Sequence, residues 1–222
     1  MTQHILIIGA SGGIGRALVA AHRARADAVT ELSRSSNGLD LTEQVSVDAH
    51  LGALEGPFDR VIVATGALEI AGAEPEKSIK SVTAQAMAAQ FALNTIGPAL
   101  CLRHAARLLP RKSPSVWATL SARVGSIGDN RLGGWTSYRA AKAAVNQVVR
   151  CAAIELARSH KQAAIVSLHP GTVATPFTQK YLSRHPSVPP EEAAGNLLSV
   201  MDNLDAAQSG RFFDWQGEEV AW

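Results

Sequence analysis

Tyr138 and Lys142 stand four residues apart in the segment Ser137-Tyr138-Arg139-Ala140-Ala141-Lys142. That spacing puts a phenol and an ammonium on one face of a helix. A free tyrosine has a pKa of about 10, far from neutral. A nearby positive charge favours the phenolate and lowers that value. Such a pair suits proton transfer to or from a carbonyl oxygen. The same spacing also arises by chance on helix surfaces, so the neighbours matter. Ser121 directly follows the apolar run Val116–Leu120. In an open parallel sheet, ligands bind beyond the carboxyl ends of the strands. Ser121 is thus expected at the same crevice as Gly66 and His169-Pro170-Gly171, where a hydroxyl can bond a substrate oxygen as charge develops. Its bland alternative is a strand-end serine capping a turn.

A third feature faces that crevice. Gly9-Ala10-Ser11-Gly12-Gly13-Ile14-Gly15 joins the first apolar run to the first helical pattern. Glycines let the backbone turn sharply and approach a pyrophosphate closely. The helix N-terminus offers unpaired N–H groups to that anion. The spacing is G-x-x-x-G-x-G rather than G-x-G-x-x-G, and a tight strand–helix connection is the bland alternative. The second run ends in Glu31-Leu32-Ser33-Arg34. If the strand reaches Leu32, Ser33 and Arg34 meet the adenosine ribose, and NADP is favoured. If it stops earlier, Glu31 holds the diol of NAD. Arg34, hence NADP(H) with NAD(H) as the lesser option, is preferred.

These residues need a frame. Short apolar runs occur at Ile5–Ile8, Ala28–Leu32, Val61–Ala64, Val116–Leu120, Ile165–Leu168 and Arg211–Phe213. Helical patterns lie between most of them, at Gly13–Arg25, Thr83–Leu109, Ser137–Ser159 and Glu191–Asn203. This alternation predicts an α/β fold: a doubly wound, Rossmann-like parallel sheet with helices on both faces. Near-continuous apolar strands fit a sheet buried on both sides. Pro110 ends the long helix before it, and Ser33–Asn37, Gly125–Trp135 and Phe177–Pro190 read as loops. No linker divides the chain, so residues 1–222 are expected to form one dinucleotide-binding oxidoreductase domain.

Composition narrows the partners. The chain has 222 residues, 46% hydrophobic and 18% charged, with a net charge of +2. A sizeable core follows, and the field is too weak to imply nucleic acid or an anionic membrane. No segment reads as a signal peptide or a membrane span, so a cytoplasmic protein is expected. Cys101 and Cys151 lie in apolar helical stretches and are expected to be buried free thiols. No Cys/His cluster has metal spacing.

Taken in order, Gly9, Gly13 and Gly15, Asn94 in Asn94-Thr95-Ile96-Gly97, Ser121, Tyr138 with Lys142, and Pro170-Gly171-Thr172-Val173 followed by Thr175-Pro176 form a pattern. On it the chain resembles the short-chain dehydrogenase/reductase (SDR) family over essentially its whole length. The segment 129–135 and the ending Gly210-Arg211-Phe212-Phe213-Asp214-Trp215 resemble the short subgroup that includes C-factor-like proteins. The resemblance implies Asn94, Ser121, Tyr138 and Lys142 as the catalytic set. Asn94 would anchor a water that links Lys142 to solvent, and Lys142 would also bind the nicotinamide ribose. It implies cofactor contacts from Gly9, Ser11, Gly12, Gly13, Ile14 and Gly15; from Ser33, Arg34, Asp40 and Leu41; from Thr65 and Gly66; from Tyr138 and Lys142; and from Pro170, Gly171, Val173 and Thr175. Asp40 would meet the adenine amino group, and Val173 and Thr175 the carboxamide. A homodimer or homotetramer through the helices at 83–109 and 137–159 is implied as well.

The chain also departs from the family pattern. Val63-Ala64-Thr65-Gly66 stands where Asn-Asn-Ala-Gly is usual, which keeps Gly66 and loses the asparagine side chains. Only Ser35–Gly38 separates Arg34 from Leu39-Asp40, too little for the usual helix, so a short or degenerate third strand is expected. No basic residue stands at Gly12, which counts against NADP. The segment after Thr175 is brief, so a small lid and an open pocket are expected. Arg123 and Trp135 are candidates for the substrate pocket, and Phe177 and Tyr181 for closing over it. His169 reads as a structural histidine. The expected activity is hydride transfer between a nicotinamide and the carbonyl or alcohol carbon of a small molecule. The alternative is a cofactor-binding signalling or regulatory protein with secondary or no catalysis.

Overall fold

The strand His4–Ile8 (β1) shows why the sheet needs cover on both sides. Its side chains alternate between faces. Ile5 and Ile7 enter one apolar cluster, while Leu6 and Ile8 enter the other. The same split recurs in Arg60–Val63 (β3), Ser115–Leu120 (β4) and Ala163–Leu168 (β5). Each cluster then recruits its own helices. Gly13–Ala24 (α1) and Pro190–Asp202 (α8) pack on one face through Leu18, Leu197 and Met201. The opposite face takes Gln44–Gly52 (α3), Gly97–Leu102 (α5) and Thr136–Leu156 (α7) through Leu51, Cys101 and Val149.

The structure is a computed structural model and describes residues 2–175, 178, 180 and 187–222. With Ala28–Leu32 (β2) and Phe212–Phe213 (β6), the sheet has six strands in the order β2-β1-β3-β4-β5-β6, all parallel. This is the doubly wound, Rossmann-like arrangement that the alternation of runs predicts. Among the described residues, no helix is long and apolar enough to cross a membrane.

Three expectations need correction. Between β2 and β3 there is no degenerate strand. Arg34–Asn37 (α2) makes one helical turn, capped by the Ser33 hydroxyl and closed by Gly38 at φ 77°. Residues 39–43 then lead straight into α3, so β2 is an edge strand.

The long helix expected over 83–109 is interrupted. Ala84–Phe91 (α4) passes into a π turn at Ala92–Ile96, then α5, a break at Arg103-His104, and Ala105–Leu108 (α6). Pro98 explains the π turn, because it has no N–H for the carbonyl of Asn94 four residues earlier.

Cys101 is a buried free thiol, but Cys151 is exposed and accepts a hydrogen bond from Gln147 Nε2 at 3.4 Å. Apolar neighbours in sequence did not bury Cys151, because it lies on the outward side of α7. The buried stripe of that helix runs through Tyr138, Lys142, Val145 and Val149.

Candidate active site

The carboxyl ends of β1, β3, β4 and β5 open onto a cleft of about 610 Å³. The turn after β1 forms its floor at one side. Gly9 takes φ 92°, and a Cβ there would lie 2.7 Å from the Ala64 carbonyl oxygen. A Cβ on Gly15 would lie 2.1 Å from the Gly9 oxygen, so the turn closes only with glycine at both positions. Gly12, Gly13 and Ile14 line the cleft, and α1 starts with no side-chain cap. Its first N–H groups are therefore left for a ligand.

The other side is built by β4 and α7. Ser121 extends β4, and its N–H donates to the Leu168 carbonyl at 2.8 Å. The 3-10 turn at Arg123–Gly125 then presses onto α7, where a Cβ on Gly125 would lie 2.8 Å from the Lys142 backbone. Tyr138 and Lys142 are 6% and 3% exposed and both line the cleft, as does Ser121 at 4%. Lys142 Nζ donates to the Leu120 carbonyl at 3.0 Å and stands 5.9 Å from the Tyr138 ring centroid. Gly66, at φ 150°, leaves room for this amine, since a Cβ there would lie 3.3 Å from Nζ and 2.8 Å from Asn94 Oδ1.

Electrostatics differ from the expectation for the pair. Burial pushes the Tyr138 phenol above its usual 10.0, and burial brings the Lys142 amine down to about 8. In this dry corner the cost of charging either group outweighs what the amine does for the phenolate. The amine is thereby poised near neutrality.

Asn94 is fully buried in the π turn. Its Oδ1 accepts from Ala67 N at 3.1 Å, and its Nδ2 donates to the Ala67 carbonyl at 2.9 Å and to Gln90 Oε1 at 2.6 Å. Gln90 Nε2 in turn donates to the Leu68 carbonyl at 2.8 Å. This grip holds the loop after β3, where the family's asparagine side chains are missing.

The structure separates the expected cofactor contacts. Gly12, Gly13, Ile14, Thr65 and Gly66 line the cleft, and so do Pro170, Gly171, Val173 and Thr175. Gly9 and Gly15 shape the turn beneath it, and Ser11 and Asn94 are likewise outside the lining. Ser33, Arg34, Asp40 and Leu41 lie beyond it, past the end of β2. The Leu41 side chain is part of the core and packs against Gly97, so only its backbone is left for a ligand. Asp40 Oδ1 accepts from Thr42 N at 2.9 Å and Thr42 Oγ1 at 2.7 Å. Those bonds, with Arg34 nearby, hold its carboxyl below the usual range. Because β2 does reach Leu32, Arg34 stands two residues past its end, after Ser33, while Glu31 is paired with Arg23 at 2.5 Å.

Arg123 and Trp135 both line the cleft. Phe177 and Tyr181 lie outside the described residues, as does Pro176. His169 is on the wall with Nδ1 buried and without a hydrogen-bond partner among the described residues, and burial lowers its pKa to about 4. Its backbone N–H donates to the Phe213 carbonyl at 2.8 Å.

One residue escaped the sequence reading. Glu76 is 61 positions before Ser137, yet its carboxylate accepts from Ser137 N at 3.2 Å and from the Ser137 hydroxyl. Its carbonyl accepts from Trp135 N at 2.6 Å. Glu76 therefore caps α7, which has no cap of its own, one residue before Tyr138. Burial alone would raise the Glu76 pKa, but the Ser137 bonds outweigh it and lower the value. Nothing local in the sequence signals that contact.

Known proteins show the same plan. A solved NADPH-bound carbonyl reductase from chicken fatty liver superposes with a TM-score of 0.82 at 23% identity, covering 100% of this chain and 99% of that one. The carbonyl reductase Sniffer of D. melanogaster gives 0.81 at 21% identity, covering 100% of both chains. In sequence, the chain is 33% identical over 185 residues to the 1-hydroxy-2-glutathionyl-2-methyl-3-butene dehydrogenase of Rhodococcus sp. (strain AD45), which covers 83% of this chain and 79% of the relative. It is 35% identical over 139 residues to C-signal of Myxococcus xanthus, covering 61% of this chain and 78% of the relative. The short chain dehydrogenase model matches residues 3–185, a span holding the glycine turn, Ser121, Tyr138 and Lys142. On that match, this chain belongs to the short chain dehydrogenase family.

Proposed function

We propose that the chain is an NADP(H)-preferring oxidoreductase acting between a carbonyl and an alcohol carbon of a small molecule. The observation that carries the reading is the meeting of Ser121, Tyr138 and Lys142 with the uncapped start of α1 in one cleft. The cleft suits a dinucleotide. A Cβ on Gly12 would meet only the Gly9 oxygen, at 3.4 Å, so its cleft side is open. Thr65 Oγ1 and His169 Nδ1 are buried there without partners among the described residues. Gly12, Gly13 and Ile14 would hold the pyrophosphate and Lys142 the ribose. Arg34, two residues past the end of β2 and with Glu31 engaged elsewhere, would take a 2′-phosphate.

When bound, the dinucleotide supplies or accepts the hydride. Tyr138 gives its proton to the substrate oxygen during reduction and takes one back in oxidation. The Ser121 hydroxyl donates to the same oxygen as charge builds. Lys142, poised near neutrality, replenishes the phenol. Asn94 acts behind it, with its side chain holding the loop at Ala67 and its carbonyl facing a Pro98 that lacks an N–H. Association of copies through α4, α5 and α7 belongs to this reading, supported by the exposed Ile96 and Ile154 on that side; sedimentation tests it.

Titration with NADPH and NADH, followed by a panel of aldehydes, ketones and quinones, tests the function. Tighter binding of NADPH and its oxidation by at least one carbonyl class are expected. The resemblance to C-signal supports a second reading, a cofactor-binding signalling protein. Tight NADPH binding with silence across the panel would favour it.

A further inference from the structure

The loop between β4 and α7 and the first turn of α7 line their end of the cleft with guanidinium groups, and not all of these have a carboxylate partner. Arg123, Arg131 and Arg139 all face the cleft. Arg123 is satisfied: its Nε donates to Asp129 at 2.7 Å, and it stands 3.5 Å from Asp214. Asp214 is in turn held by the N–H groups of Gln216 at 2.9 Å and Glu218 at 3.1 Å. Arg139 donates only to carbonyls, those of Gly134 at 3.0 Å and Val124 at 3.2 Å. Arg131 is exposed and has neither a hydrogen bond nor an ion pair among the described residues.

The remaining nearby acids are engaged elsewhere. Glu76 is bound by Ser137, and Glu69 and Glu74 by Lys180 at 2.8 and 3.3 Å. The Arg131 and Arg139 guanidiniums therefore have no carboxylate partner among the described residues. Beside them the wall is apolar, with Leu132 86% exposed and the Trp135 ring 6.4 Å from that of Tyr138. The cofactor does not need these arginines for its pyrophosphate. That group has its place at the turn after β1, separated from the β4 loop by β3 in the sheet order.

We infer that the substrate is an amphipathic anion: a carbonyl compound with a carboxylate that Arg131 and Arg139 receive, its carbon skeleton lying along Leu132 and Trp135. A guanidinium is planar and forked, which matches a carboxylate better than any neutral group. The inference rests on the oxidoreductase reading for the carbonyl and on the two cleft guanidiniums without carboxylate partners for the carboxylate.

The test compares 4-carboxybenzaldehyde with methyl 4-formylbenzoate, which differ in that charge, using NADPH as reductant. At low salt the acid should exceed the ester in kcat/KM by about tenfold or more, with the advantage in KM. Added salt should erode the ratio. Arg131→Ala should bring it to about one. Arg111→Ala, exposed and near the start of β4 on the opposite edge of the sheet, should leave it unchanged. Equal rates for acid and ester in the parent protein, or a ratio untouched by Arg131→Ala, would overturn the inference.

Calorimetric binding of benzoate with NADP present separates the two readings. Weakening by about tenfold in Arg131→Ala is expected. Reduction of the ester without benzoate binding would remove the anion site and leave the oxidoreductase. Benzoate binding through Arg131 without turnover of either aldehyde would remove the oxidoreductase and leave the anion site.

Discussion

The two ends of the cleft are built in opposite ways. At the β4–α7 end, the candidate residues are buried and held by distant partners: the Ser121 N–H by the Leu168 carbonyl, the Lys142 amine by the Leu120 carbonyl, and Tyr138 by a helix that Glu76 caps from outside. At the β2 end, Ser33 caps a single turn, Arg34 is exposed, and the Asp40 carboxylate is occupied by Thr42. Among the described residues, no strand lies beyond β2. On the proposed reading, chemistry that needs fixed geometry sits where burial over-determines position, and choice of cofactor sits where a side chain can change without disturbing the sheet.

That contrast breaks first if a change at the buried end is mild. Tyr138→Phe keeps the ring packing and removes the hydroxyl. Turnover should fall by about 10³-fold or more, with NADPH affinity within about threefold of the parent. Steady-state rates and fluorescence titration read the two quantities.

Lys142→Met should cost about 10²-fold in turnover and should also change stability, in a direction that is fixed by sign. The amine is near 10.5 when unfolded and about 8 when folded. Below pH 8 both states are charged, and the burial penalty, of order 3 kcal/mol, is fully present. It is relieved as pH rises from 8 to 10.5, because the unfolded state binds the extra proton there. The parent should therefore gain stability across that window. The methionine variant should show a flatter profile, by thermal melts at a series of pH values. A parent that loses stability there, relative to the variant, would contradict the burial of a titrating amine.

The exposed end should give a smaller and more selective effect. Arg34→Ala should weaken NADPH about tenfold while leaving NADH nearly unchanged, since only the 2′-phosphate contact goes. An equal loss for both cofactors would blur the distinction between the ends. Smallest is Glu76→Gln, which keeps an acceptor for Ser137 N but loses the charge at the start of α7. A cost of about 1–2 kcal/mol in stability and a few-fold drop in kcat are expected. Ser137→Ala should reproduce part of both, read by melts and by rate.

The sequence reading reached the six strands, the glycine turn and the Tyr138–Lys142 pair at the cleft for one reason: all are local signals. Apolar runs of strand length, Tyr138 four before Lys142, and glycines packed into the first turn are visible without any long-range contact. It failed where partners are distant or where a pattern is broken midway. The 83–109 helix looked continuous because Ala and Leu are good helix formers, and Pro98 was not weighed against the Asn94 carbonyl. Cys151 looked buried because its neighbours are apolar, although it faces out from α7. The expected lowering of the Tyr138 pKa counted the nearby amine together with a positive nicotinamide ring; in the protein alone, burial outweighs the amine and raises it.

By its own local chemistry, this chain determines an alternating α/β pattern, a phosphate-suited turn and a phenol–amine pair on one helix face. The tertiary structure alone decided that Glu76 would cap that helix, that Asn94 would grip Ala67, and that Arg131 would line the same cleft without an ion-pair partner among the described residues. The reason is physical. Periodicity is written in neighbouring residues, whereas satisfaction of buried polar groups and balance of charge depend on what folding brings together from far apart.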